Sequence, residues 1–264
     1  MKDSWAGSDH KYLDETAVKT IGPITAGLFG GSSESGQTKN EDGFFVMTGD
    51  DWEFAVILDG HKSAESTTLV MKEFDKHDDP IRTILCKQPS EAIKQLQEFL
   101  SAFFMNPDFL SSCRRVQGET ACLIAARKEK YLFWFSIGDC VLHLFHPELA
   151  ALGEYQQNHR SFYEWVGQVN TFDLSVPCFS SGVKELRKGT SHILLATDGL
   201  IECPDLPYVK PEAVFAEFRQ RTHEDGVLHL MTEASRAKIL DNCTILSWKA
   251  RVEQEGSMPS DLIK

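Results

Sequence analysis

No run of roughly 18 or more apolar residues occurs, so no stretch reads as a transmembrane helix and no membrane partner is expected. The first residues, MKDSWAGSDHKYLDE, lack the apolar centre and cleavage site of a signal peptide, and a cytoplasmic location is expected. Positive charge is scarce. Against 39 Asp and Glu stand 27 Lys and Arg, a formal net charge of −12, which argues against a general nucleic-acid binder. None of the seven cysteines forms a C-x-x-C pair, so neither a zinc site nor a disulfide framework is expected. No internal repeat of roughly 20–50 residues is visible.

What remains is an ordinary globular composition, 42% hydrophobic and 25% charged. Residues 1–20 carry no clear periodicity and read as an N-terminal extension or a loosely ordered first strand. ITAGLF (24–29), GFFVM (43–47) and FAVIL (54–58) then read as strands. The loop GGSSESGQ (30–37) has no following Gly-Lys-Ser/Thr, so a hairpin loop is the better reading than a phosphate cradle. Helical spacing covers 63–74 and 90–104, the second with Ser90 as the expected N-cap and Ile93, Leu96, Leu100 and Phe103 as an apolar stripe. ETACLIAAR (119–127), YLFWFSIGD (131–139) and CVLHLF (140–145) are strand-like. HILLAT (192–197) and NCTILSW (242–248) are further strands, and 211–221 and 226–238 look helical. Residues 146–190 show little regular pattern, and the tail from Arg251 onward is polar and expected to be disordered. Paired strands with helices grouped in two places imply antiparallel sheets flanked by helices rather than βαβ alternation.

The chemistry lies in three aspartates at the ends of apolar runs: Asp59 in FAVILDGH, Asp198 in HILLATDG and Asp241 in AKILDN. One Asp-Gly alone is a common turn. Buried strands ending this way deliver carboxylates to one sheet rim, where they repel each other unless cations hold them. Glu41, Asp42 and Asp139 add three more at strand edges, and all-oxygen ligation suits Mg²⁺ or Mn²⁺. No Cys has an Arg six positions on, and no D-x-D follows an apolar strand. Attack by a water therefore fits better than a covalent enzyme intermediate.

The ordered set NED (40–42), DGH (59–61), GETA (118–121), IGD (137–139), ATDGL (196–200) and DN (241–242) resembles the metal-dependent protein phosphatases, the PPM or protein phosphatase 2C family, in a bacterial single-domain form. The resemblance implies an α+β fold, a four-layer α-β-β-α sandwich of two antiparallel sheets flanked by helices. The phosphatase domain would span 21–249, after an extension at 1–20, with a variable flap at about 146–190 and a polar tail at 250–264. It implies two or three Mg²⁺ or Mn²⁺ ions held by Asp59, the Gly60 carbonyl, Asp198, Asp241 and, at a weaker third site, Asp139. Glu41 and Asp42 would act mainly through metal-bound waters, and His61 would protonate the leaving alkoxide. The implied activity is hydrolysis of phosphoserine and phosphothreonine by water shared between two cations, in a signalling role. The partner would be a phosphorylated protein gripped by the flap, where Gln156, Arg160 and Trp165 stand, and the enzyme a monomer.

Three positions depart from the family pattern. Gln37 stands where an Arg commonly grips the substrate phosphate, leaving Lys39 or Arg160 to supply that charge. Lys62 replaces the usual Gly after DGH, and Cys140-Val141 replaces Ser-Arg after the Gly-Asp. The alternatives are a catalytically silent protein that binds partners through the same fold, and a small-molecule phosphate monoesterase.

Overall fold

The computed structural model describes residues 1–257. Twelve strands and eight α-helices follow one another within them. The strands are β1 Lys2–Ala6, β2 Thr16–Ile21, β3 Ile24–Phe29, β4 Gly43–Thr48 and β5 Trp52–His61. Helices α1 Glu65–Lys76, α2 Asp78–Leu85, α3 Pro89–Phe104 and α4 Pro107–Cys113 come next. They lead to β6 Glu119–Lys128, β7 Tyr131–Ile137, β8 Val141–Phe145, α5 Pro147–Ala151, β9 Val166–Gly167, β10 Ser180–Glu185 and β11 Gly189–Ala196. The chain closes with α6 Asp198–Ile201, α7 Pro211–Arg219, α8 His223–Arg236 and β12 Cys243–Val252.

All strand pairing is antiparallel. One sheet runs β1-β4-β5-β6-β7-β10, with β9 beside β6, and the other runs β2-β3-β12-β11-β8. Alternation along each strand builds the layers. Phe45, Met47, Phe54, Val56 and Leu58 face α1 to α4, where Phe74, Leu96, Leu100 and Phe104 complete an aromatic-rich outer core. Their neighbours Phe44, Val46, Ala55 and Ile57 turn the other way, against Leu28, Leu144, Ile193, Leu246 and Trp248 of the second sheet. That sheet's far face, with Phe29, Phe145, Leu194 and Ile245, is covered by α7 and α8 through Val214, Phe218, Leu230 and Met231. The expected four-layer sandwich is therefore present. Strands apolar on both faces arise because each sheet is buried twice.

Several boundaries differ from the sequence reading. Residues 1–20 are not an extension: β1 pairs with β4 and β2 with β3, so each sheet gains an edge strand from this stretch. Ser90 is not the N-cap of α3; the helix begins one residue earlier, with Gln88 extended before Pro89 at N1. The stretch 146–190 holds α5, β9 and β10, and β10 pairs with β7 along its whole length. Arg251 and Val252 still belong to β12, and from residue 258 on the tail expected to be disordered lies outside the described residues. Among the described residues no helix is long and apolar enough to cross a membrane.

A carboxylate-lined candidate metal centre

Antiparallel order gathers the acidic motifs at one end of the sandwich. The start of β4 pairs with the end of β5, which brings Glu41-Asp42 beside Asp59. The end of β11 pairs with the start of β12, which brings Thr197-Asp198 beside Asp241-Asn242. Asp139 follows Gly138 in the turn between β7 and β8, and Gly138 takes a left-handed φ of 91° there.

Asp59 sits at the centre. It is 5% exposed, and its Oδ2 has no hydrogen-bond partner. Burial, and then the charges of Asp198, Asp42, Asp139 and Asp241, hold its carboxyl far above the usual carboxylate range. The surrounding acids are shifted the same way. Burial first, then Asp241 and Asp139, push Asp198 up to about 6. Burial raises Asp139, whose Oδ1 is also unpartnered, while the nearby Arg160 guanidinium opposes the rise. Asp241 is exposed at the rim; protein on its inner side raises it by withdrawing hydration, against the backbone N–H of Asn242, which donates to its Oδ1 at 2.8 Å. An acid cluster in this state is an electrostatic liability that a cation would relieve.

Asp42 differs from the others. Its Oδ2 accepts from the hydroxyls of Thr244 at 2.8 Å and Thr197 at 3.1 Å, tying the two sheets together beneath the cluster. Burial still raises it well above the ordinary range. Glu41 accepts from Lys39 Nζ at 2.6 Å. Its backbone N–H donates to Asn242 Oδ1 at 2.9 Å, and Asn242 Nδ2 donates to the Gly30 and Lys39 carbonyls at 2.9 and 3.2 Å. Asn242 thus pins three segments of the rim. Two glycines are required by close approach. A Cβ on Gly60 would stand 2.3 Å from the Glu41 carbonyl oxygen, and one on Gly199 would stand 2.0 Å from that of Asn242.

His61 ends β5, with Nδ1 buried, unpartnered and 3.9 Å from Asp59 Oδ1. The Trp165 ring meets the imidazole edge-on at 4.6 Å, so the 146–190 segment reaches the cluster through its indole. Lys62 adopts φ 72°, which explains the glycine usual at this place. Its ammonium is held by Glu119 at 2.9 Å. Gln37 folds back on its own loop, its Oε1 accepting from the N–H groups of Thr38 and Lys39 at 3.0 and 3.4 Å. The sequence reading passed over Thr197, Thr244 and Glu202. Only Thr197 carried a local signal, as the hydroxyl before the Asp-Gly of a buried strand.

Among the described residues no group of three His, Cys, Asp or Glu side chains closes around a single point. The carboxylates face each other through their charges. The set nonetheless fits a hard divalent cation, because buried oxygens of Asp59 and Asp139 lack donors and every candidate ligand is an oxygen.

No family profile and no curated protein sequence matches the chain. Solved structures do. The serine/threonine phosphatase Stp1 from Staphylococcus aureus superposes with a TM-score of 0.61 at 15% identity, over 90% of this chain and 94% of that one. The catalytic domain of the serine/threonine protein phosphatase PstP, solved with two manganese ions, gives 0.57 at 15% identity over 94% and 98%. RsbX, solved in complex with magnesium, gives 0.55 at 13% identity over 89% and 100%. The chain therefore has the fold that its six motifs resemble, that of the bacterial metal-dependent protein phosphatases.

Proposed function

We propose that this chain is a divalent-metal-dependent phosphatase that hydrolyses phosphoserine and phosphothreonine in proteins. The observation that carries the reading is Asp59, a buried carboxylate with a free oxygen, in the field of Asp198, Asp42, Asp139 and Asp241. Mg²⁺ or Mn²⁺ bound there would supply an acidified water and offset charge on the phosphoryl oxygens. Asp59, Asp198, Asp241 and the Gly60 carbonyl would hold the ions, with Asp139 at a further position.

The chain's own groups divide the remaining work. Asp42 braces the two sheets through Thr197 and Thr244, and keeps Oδ1 for other contacts. Glu41, positioned by Lys39 and Asn242, would orient water. His61 would give a proton from Nε2 to the departing serine or threonine oxygen. Trp165, edge-on at 4.6 Å, would hold the tilt of that ring. The flap segment around it is the surface against which a phosphoprotein would lie.

The test is hydrolysis of an aryl phosphate and a phosphothreonine peptide with Mn²⁺, with chelator, and by the Asp59→Asn protein. Metal-dependent turnover lost in the variant supports the proposal, and faster peptide cleavage supports a protein substrate. Bound metal without turnover of either substrate would point instead to a silent binding protein.

A further inference from the structure

A phosphate monoester carries about two negative charges and must approach a cluster of carboxylates. Beside any bound metal, a side-chain cation would help to hold it, and Gln37 supplies none. Lys62 is engaged by Glu119, and Lys39 gives its Nζ to Glu41 at 2.6 Å and to the Lys62 carbonyl at 2.8 Å. Both are single point charges already shared.

Arg160 is placed differently. Its Nε donates to the Asp139 carbonyl, so the guanidinium is anchored at the β7–β8 turn that carries a cluster acid. One terminal nitrogen donates to Glu202 Oε1 at 2.6 Å, and the group lies 5.4 Å over the Phe162 ring. Of five N–H donors, two are used in these bonds. Glu202 is exposed, with a side chain 43% accessible, so the terminal fork can exchange a carboxylate for another anion at the surface.

We propose that Arg160 is the residue through which this chain binds the substrate's phosphoryl group, with Glu202 holding the fork until a phosphate displaces it. The assignment rests on the phosphatase reading. It makes the flap part of the phosphate site, in place of a charge at Gln37.

The experiment is calorimetric binding of inorganic phosphate to the Mn²⁺-loaded protein, with kcat and KM on an aryl phosphate, for the parent, Arg160→Met, Arg160→Lys and Glu202→Gln. Loss of a charge-assisted fork should weaken phosphate binding about ten- to a hundredfold in Arg160→Met, with a matching rise in KM, and Arg160→Lys should recover part of it. Glu202→Gln should tighten phosphate binding in the parent and have no effect in the Arg160→Met background, a coupling that a general change of field would not produce. Arg160→Met binding phosphate within twofold of a parent that hydrolyses normally overturns the assignment and leaves the phosphatase reading intact. So does a Glu202→Gln effect that persists without Arg160. A parent that neither hydrolyses nor binds phosphate overturns both.

Discussion

Removing one charge from the cluster should make the metal-free protein more stable while making it indifferent to metal. Asp198→Asn is the sharpest case, because the amide keeps the size of the side chain and discards only its charge. The Asp198 carboxyl stands at about 6 in the folded chain against an ordinary 3.8. Keeping it ionised at neutral pH therefore disfavours the fold by about 3 kcal/mol at most. The sign follows from linkage. A raised pKa leaves the fold unpenalised below 3.8, and stability is lost as pH rises through about 6. At pH 7 with chelator, Asp198→Asn should melt above the parent, by about 6 °C if the whole effect is realised. Excess Mn²⁺ should close most of that gap. At about a hundredfold over its dissociation constant, an ion that binds only the folded parent adds about 2.7 kcal/mol, and the variant should gain little of this. Thermal unfolding of both proteins across a metal titration gives all four values. A variant less stable than the parent in chelator, or one with an equal metal-induced shift, would refute the claim that these carboxylates are cation ligands held in mutual repulsion.

Other expectations follow from particular contacts. Burial lowers His143 to about 4 from 6.5, and its Nδ1 has no partner, so the folded chain refuses a proton that the unfolded chain accepts. Stability should fall as pH drops from 6.5 towards 4, by up to about 3 kcal/mol, and His143→Leu should flatten that part of a denaturation-against-pH curve. Gly60→Ala forces a Cβ to 2.3 Å from the Glu41 carbonyl oxygen and should abolish turnover and lower the denaturation midpoint; a variant with parental activity would show that the rim yields freely. Trp165→Ala removes the edge contact on His61, worth about 1 kcal/mol, and should slow cleavage of phosphopeptides. Unchanged rates on every phosphoprotein tried would remove the flap from substrate handling.

Local pattern carried far in this chain where burial was complete. ITAGLF, apolar but for Thr25 and Gly27, and FAVIL are buried at every position because their sheets are covered on both faces, and that near-continuity is readable without a partner strand. The Asp residues that end such runs could be picked out for the same reason: a carboxylate after a doubly buried strand must emerge at a rim. Helix α3 was legible through its 3.6-residue stripe, whereas α2, opening on Asp78-Asp79-Pro80, looks like a turn until it is packed on α3. Strands β1, β2 and β10 escaped because edge strands are half exposed and their pattern is diluted by polar residues. The site's working contacts lay beyond any window along the chain. Thr244 on Asp42, Asn242 on Glu41, Trp165 on His61 and Arg160 on Glu202 join residues separated by 202, 201, 104 and 42 positions. Sequence periodicity reports which face a residue shows to its own element. Which element stands opposite is set by the pairing of strands and the stacking of the two sheets, and that pairing brought five scattered carboxylates into one field.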